Sequence, residues 1–177
     1  MHEQAFEQNL GRDLHQYLAS KKLLDARMPE CPDVEDQWEY IVKAYIPDGV
    51  REFNAYPVAS LGWIIYIGMA MAKFWDTEWD IYSKVDNVYA YLKSKRGYDC
   101  MDDYIKEEVL LCTPEESVEI NDIASDLAAR TYNVLMHQHI TPGTSDAFYA
   151  YVSCLHQLYL MGMSLELHRL GYHMEKI

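Results

Sequence analysis

The chain has 177 residues, of which 50% are apolar, and 15 Lys and Arg against 28 Asp and Glu give it a formal net charge of −13. This composition excludes a disordered chain, a collagen-like repeat and a small disulfide-stapled scaffold. The length suits one sizeable hydrophobic core, so we expect a single helical domain over residues 1–177.

The first third of the chain predicts two helices. Apolar side chains recur with helical spacing over residues 3–25 and again from Asp33, a candidate N-cap that follows Pro32. We expect Pro47-Asp48-Gly49 to end the second helix and residues 50–56 to form an aromatic-bearing loop. The two apolar stripes comprise Phe6, Leu10, Leu14, Tyr17, Leu18 and Leu24, and then Val34, Trp38, Ile41, Val42 and Tyr45.

A long apolar segment follows Pro57, which suits the first turn of a helix. Residues 58–72 carry no charge, but 15 helical residues rise only about 22 Å, less than the roughly 30 Å of a bilayer core. The segment therefore favours a buried central helix at about 57–75 over a membrane span. Thr77 and Asp80 resemble a capping box, which indicates a kink or a new helix near 76–78.

Three further helices are expected in the C-terminal half. Asp99 is a candidate cap for the first, and Thr113, Pro114 and Glu116 have the spacing of a capping box for the second. The third is predicted over 144–172. The helix that follows Thr113 has two distinct faces. Its apolar face consists of Ile120, Ile123, Ala124, Leu127, Ala128, Thr131, Val134 and Leu135. Its polar face consists of Glu119, Asp122, Asp126, Arg130 and Asn133. The fold class is therefore all-α, a bundle of five to six helices around the central apolar helix.

The motifs of common enzyme and metal sites are missing from the sequence. A ferritin-like di-metal bundle needs a carboxylate three residues before a His, and no His has one. The chain also lacks a nucleophile elbow, a P-loop, a dinucleotide fingerprint and an H-E-x-x-H motif. We therefore expect no metal, no cofactor and no catalytic residue of a known pattern.

Composition also bears on partners and location. Nucleic-acid binding needs clustered Lys and Arg, which this acidic chain lacks, and the same charge disfavours anionic membranes. The four cysteines form no C-x-x-C pair, and residues 1–25 lack the apolar core of a signal peptide. These features predict reduced thiols and a cytoplasmic location, with neither nucleic acid nor membrane as a partner.

Two carboxylates are predicted to point into the core. Glu166 has the same helical angle as Phe148 and lies near Leu155, Tyr159 and Leu170, and Glu78 falls between Phe74, Ile81 and Val85. A buried carboxylate needs a partner or a raised pKa, and such groups often mark functional sites. The candidate ligand-binding residues are therefore Glu166, His156, Tyr159 and Glu78. The competing interpretations of Glu166 are a structural hydrogen bond from a Tyr and exposure near the helix end. The competing interpretation of Glu78 is an ordinary first-turn carboxylate.

The chain is rich in aromatic residues, with 4 Trp and 15 Tyr. Tyr89-Ala90-Tyr91 and Tyr149-Ala150-Tyr151 must each turn one ring outward on a helix. Exposed aromatic rings favour protein interfaces, and the alternatives are that the rings line a small-molecule pocket between helices or, more commonly, fill the core. The leading hypothesis is thus a non-enzymatic interaction protein that forms homo-oligomers or binds a protein partner. The alternatives are an acidic immunity- or inhibitor-type protein that neutralises a basic partner, and a small-ligand binder or enzyme built around Glu166.

Overall fold

The computed structural model describes residues 3–172, and within that range the chain is all-helical, as predicted. The predicted domain of 1–177 extends beyond the described residues at both ends. The helices are α1 (Glu3–Ser20), α2 (Pro32–Glu35), α3 (Trp38–Ala55), α4 (Pro57–Tyr82), α5 (Val88–Arg96), α6 (Met101–Tyr104), α7 (Pro114–Met136) and α8 (Ser145–Arg169). Six are longer than one turn, and α2 and α6 are additions of four residues each.

The helix α4 is the centre of the bundle. It packs against α8 most extensively, and also against α7, α3 and α2. Leu61, Ile64, Ile65, Ile67 and Met71 are fully buried on different sides of it, so the apolar sequence reflects enclosure by other helices. By length and composition alone α4 could cross a membrane, but 72% of its most apolar window is buried inside the protein.

The helix α3 continues through Pro47, so the predicted turn and the predicted loop at 50–56 are both wrong. Proline costs a helix one hydrogen bond, but hydrogen bonds from α4 and α5 hold the two residues that follow it. Ser60 Oγ donates to the Gly49 carbonyl at 2.7 Å. Asp48 accepts hydrogen bonds from Tyr89 and Lys93, both at 2.7 Å. A Cβ on Gly49 would lie 2.6 Å from the Tyr45 ring, so the glycine allows close packing rather than a turn.

The predicted break near 76–78 is confirmed as a kink. Glu78 has non-helical backbone angles, φ −145° and ψ 41°, within α4. Thr77 does not cap a new helix, because its Oγ1 donates to the Lys73 carbonyl at 2.9 Å. The new helix starts later, at α5, where the Asn87 side chain accepts a hydrogen bond from the Ala90 amide at 2.9 Å.

The two predicted caps of the C-terminal half have different outcomes. Thr113 and Glu116 form the capping box of α7, with both reciprocal hydrogen bonds present. Asp99 caps nothing: it lies in a 3₁₀ turn (Tyr98–Cys100) that leads into α6 and then a π turn (Ile105–Val109). The facial assignment of α7 is confirmed, since its predicted polar residues are all exposed and its predicted apolar ones are buried or half-buried.

Two helices end in the same hydrogen-bond pattern, the Schellman motif. At the end of α1 the Leu23 amide bonds the Leu18 carbonyl and the Lys22 amide bonds that of Ala19, both at 3.0 Å. Gly171 occupies the corresponding left-handed position after α8, with φ 97°. At the end of α1 that position is held by Lys22, with φ 61°, although glycine adopts this conformation with less strain.

Candidate functional site

Glu166 is fully buried in α8, as predicted, but its partner is neither a Tyr nor a His. Arg169 Nε donates to Oε1 at 2.7 Å and Nη2 to Oε2 at 3.3 Å, so the two side chains form a bidentate pair one turn apart. Burial raises the pKa of Glu166, while the Arg169 guanidinium acts in the opposite direction. The expected neighbour Phe148 is exposed, since it lies near the other end of α8.

Arg169 uses its remaining donors to connect α8 to the start of α7. Nη1 donates to Glu116 Oε2 at 2.8 Å, and Nη2 donates to the Leu110 carbonyl at 3.1 Å. Glu166 therefore orients a guanidinium that joins three parts of the chain. The arrangement fits the structural interpretation of Glu166 and gives it no free oxygen for proton transfer.

His156 and Tyr159 lie on α8 in a separate group of contacts. The His156 ring stacks on Trp38, with ring centroids 5.0 Å apart, and its Nδ1 lies 3.3 Å from Glu7 Oε2. The Tyr159 hydroxyl donates to the Val34 carbonyl at 2.8 Å. These contacts connect α8 to the N-terminal helices, whereas the side-chain partner of Glu166 is Arg169. The hydrogen bond with His156 lowers the pKa of Glu7 more than burial raises it.

Glu78 does not point into the core, and that prediction is wrong. Its side chain is exposed because the kink at this residue rotates it away from the stripe that continues from Phe74. Ile81, expected beside it in the core, is 62% exposed. Helical spacing does not predict the orientation of Glu78, because the helix is interrupted at this residue.

The acidic row of α7 is exposed, as expected, and cations lie next to it. Arg130 forms an ion pair with Asp13 at 3.1 Å, and its guanidinium lies 4.4 Å from the centroid of the Tyr17 ring. The Tyr17 hydroxyl donates to Asp126 at 3.3 Å. This mixture of charges does not single out a face for a basic partner.

A groove of about 440 Å³ opens between the end of α3, the start of α8 and the turn before α8. None of its lining residues is charged: Val50, Phe53, Asn54, Pro142, Gly143, Thr144, Ala147, Phe148 and Tyr151. Phe148 is 42% exposed in the groove and the adjacent Tyr149 is 49% exposed. The prediction that one ring of Tyr149-Ala150-Tyr151 faces outward is confirmed, since Tyr151 is buried.

The floor of this uncharged groove is held by buried hydroxyl groups. Tyr151 and Ser60 share a hydrogen bond of 2.6 Å between their hydroxyl oxygens. The Phe53 ring packs edge-on against Tyr151, with centroids 5.0 Å apart. The sequence does not predict this groove, because Val50 and Phe53 fall in the expected loop at 50–56. Their position in α3 brings them beside α8.

Within residues 3–172 no three His, Cys, Asp or Glu side chains are grouped so that they could hold a metal ion. The four cysteines are free thiols, and burial raises the pKa of Cys154 to about 12. No protein-family model, no curated protein and no solved structure matches the chain.

Proposed function

We propose that the protein is a non-enzymatic interaction protein that self-associates through the uncharged groove between α3 and α8. The observation that carries this proposal is the groove itself, with no charged residue in its lining and with two exposed aromatic rings, Phe148 and Tyr149, on α8 beside it. Exposed apolar surface of this kind is typical of protein interfaces.

The net charge of the chain favours contact between two copies through the uncharged groove over contact through the rest of the surface. Each copy carries a formal net charge of −13, so contact through most of the surface brings like charges together. Contact through the uncharged groove avoids the closest of these repulsions. In a two-fold dimer the Phe148 ring of each copy can enter the groove of the other, since such an interface uses the same patch twice.

The mass in solution tests the proposal. Light scattering at tens of micromolar is expected to give twice the chain mass of 20.7 kDa. Phe148→Glu places a charge in the interface and is expected to give a monomer with unchanged helical content, because Phe148 is already partly exposed. Tyr40→Glu is the matched control, since Tyr40 is a 67% exposed aromatic residue outside the groove.

Salt provides a second readout. Because the two copies repel each other, raising the ionic strength should strengthen the dimer. A monomeric mass for the native chain at high salt, or equal loss of dimer in both variants, contradicts the proposal.

A further inference from the structure

A second cavity, of about 220 Å³, shares no lining residue with the uncharged groove. It is bounded by α4, α7, α8 and the turn that ends α1. Its floor is apolar and consists of Ile65, Met69, Ile120, Ile123, Ala124 and Leu165. The charged side chains at its mouth are Lys22, Glu116, Glu119, His168 and Arg169.

Three of these charged groups already have partners. Arg169 binds Glu166, Glu116 and the Leu110 carbonyl. The second oxygen of Glu116 accepts a hydrogen bond from the Thr113 amide at 3.0 Å. His168 Nε2 lies 3.5 Å from Asp25. Among the charged residues of the cavity lining, only Lys22 and Glu119 have side chains that make no hydrogen bond or ion pair with another described residue, and both are exposed.

Lys22 occupies the left-handed position of the α1 Schellman motif, with φ 61°. A side chain there costs stability relative to glycine, and residues held in such conformations are often found at binding sites. The turn thus places an unpaired ammonium group at the mouth of an apolar cavity, and Glu119 adds an unpaired carboxylate from α7.

We propose that this cavity binds a small zwitterion with an apolar side chain, of the class of the apolar α-amino acids. The apolar side chain occupies the floor, the ligand carboxylate faces Lys22, and the ligand ammonium group faces Glu119. The cavity is large enough for an apolar side chain of this class, since a dry cavity of about 150 Å³ accommodates benzene and this cavity is larger. Both charges of the ligand remain at the open mouth, so neither is buried without a partner.

The ligand charges should contribute modestly and separately. Ion pairs between exposed groups are weak, so loss of either pair should weaken binding by about two- to fivefold. Affinity in the millimolar range follows from one small apolar group and two such pairs. Titration followed by NMR suits this range and also locates the site through the methyl signals of Ile65, Met69 and Ile120.

The test compares three probes that share one phenyl ring. L-Phenylalanine carries both charges, 3-phenylpropanoate lacks the ammonium group, and 2-phenylethylamine lacks the carboxylate. We expect L-phenylalanine to bind most tightly. Lys22→Gly should reduce its affinity to that of 2-phenylethylamine, and Glu119→Gln should reduce it to that of 3-phenylpropanoate.

Two variants serve as controls. Lys22→Arg keeps the charge and should keep the affinity, and Glu115→Gln removes an exposed carboxylate of α7 that does not line the cavity. Equal affinities for the three probes, or unchanged binding in Lys22→Gly and Glu119→Gln, overturn the assignment of the zwitterion. Unshifted methyl signals with every probe overturn the cavity as a ligand site. Neither result depends on the dimer.

Discussion

Gly68 and Gly162 mark the point where α4 and α8 come closest. A Cβ on Gly68 would overlap the Tyr159 carbonyl oxygen, and a Cβ on Gly162 would overlap the Ile65 carbonyl oxygen. Each glycine thus lies against the backbone of the other helix. Backbone contact at this crossing is what allows the two longest helices to share one core.

Alanine at either glycine should therefore destabilise the protein. Gly162→Ala and Gly68→Ala force the helices apart, and overpacking of this kind costs about 1–3 kcal/mol or more. Gly62→Ala is the control on α4, because its Cβ would meet only the Ala128 side chain at 3.9 Å. Gly62→Ala should stabilise the helix by about 0.5–1 kcal/mol. Urea denaturation measures all three, and equal effects contradict the described crossing.

Substitution of Arg169 should lower the free energy of unfolding more than substitution of its partner Glu166. Arg169→Met leaves the carboxylate of Glu166 buried and unpaired, which costs roughly 3 kcal/mol at neutral pH. Glu166→Gln keeps a hydrogen-bonding side chain and leaves Arg169 with Glu116, so we expect a smaller loss. Arg96→Met should be nearly neutral, because Arg96 pairs with exposed Glu107 at the surface.

The loss in Arg169→Met should depend on pH. Burial raises the pKa of Glu166 in the folded state, so the folded protein takes up a proton at a higher pH than the unfolded chain does. The deficit of the variant should be greatest at neutral pH and shrink as the pH falls towards 4.5, the ordinary value for the group. A deficit that is constant over this range contradicts an unpaired carboxylate.

Glu7 should show the opposite pH dependence. Its pKa is lowered, mainly by the hydrogen bond with His156, so its ionised form stabilises the fold above the ordinary value of 4.5. That contribution is lost as the pH falls through the lowered pKa. Glu7→Gln should be destabilised by less than about 1 kcal/mol above pH 4.5, because both side chains are 29% exposed. The difference from the native chain should vanish in more acidic solution.

The two faces of α7 can be tested by one pair of substitutions. Ala124→Asp buries a charge where only 3% of the residue is exposed, and it should unfold or strongly destabilise the domain. Asp122→Ala should change stability by no more than about 0.5 kcal/mol, since Asp122 is exposed. Equal shifts of the melting temperature would show that the assigned faces are wrong.

Lys22→Gly should raise stability while weakening ligand binding. Glycine adopts the left-handed conformation at φ 61° without a Cβ penalty, so we expect a gain of about 0.5–1 kcal/mol. For a chain of this length that is a rise of about 1–4 °C in Tm by calorimetry. A lower Tm would show that the lysine side chain supports the fold.

Sequence periodicity predicts the helices and caps that are determined by residues close together in the sequence. The apolar segment after Pro57 and the capping box at Thr113 are both in place, because each depends on residues within one helix. The predicted helix end at Pro47 is wrong because local spacing does not include tertiary contacts. The residues that stabilise α3 beyond Pro47 are Ser60, Tyr89 and Lys93, which are distant in sequence.

The candidate site shows a similar division. The burial of Glu166 followed from its angle on the helix, but the identity of its partner did not. Arg169 does not belong to the predicted core face, because its side chain is 27% exposed at the end of α8. The uncharged groove and the second cavity could not be predicted from the sequence either, because each is formed by helices that meet only in the folded chain.

The order of synthesis gives the α4–α8 crossing a further consequence. Gly162 follows Gly68 by roughly 90 residues, and α7, the other long helix packed on α4, is also made after it. At a translation rate of about 5–20 residues per second, the apolar surface of α4 stays uncovered for about 5–20 s before α8 has been synthesised. Nascent chains that stop before α8 should therefore bind chaperones strongly, and release should coincide with the emergence of Gly162.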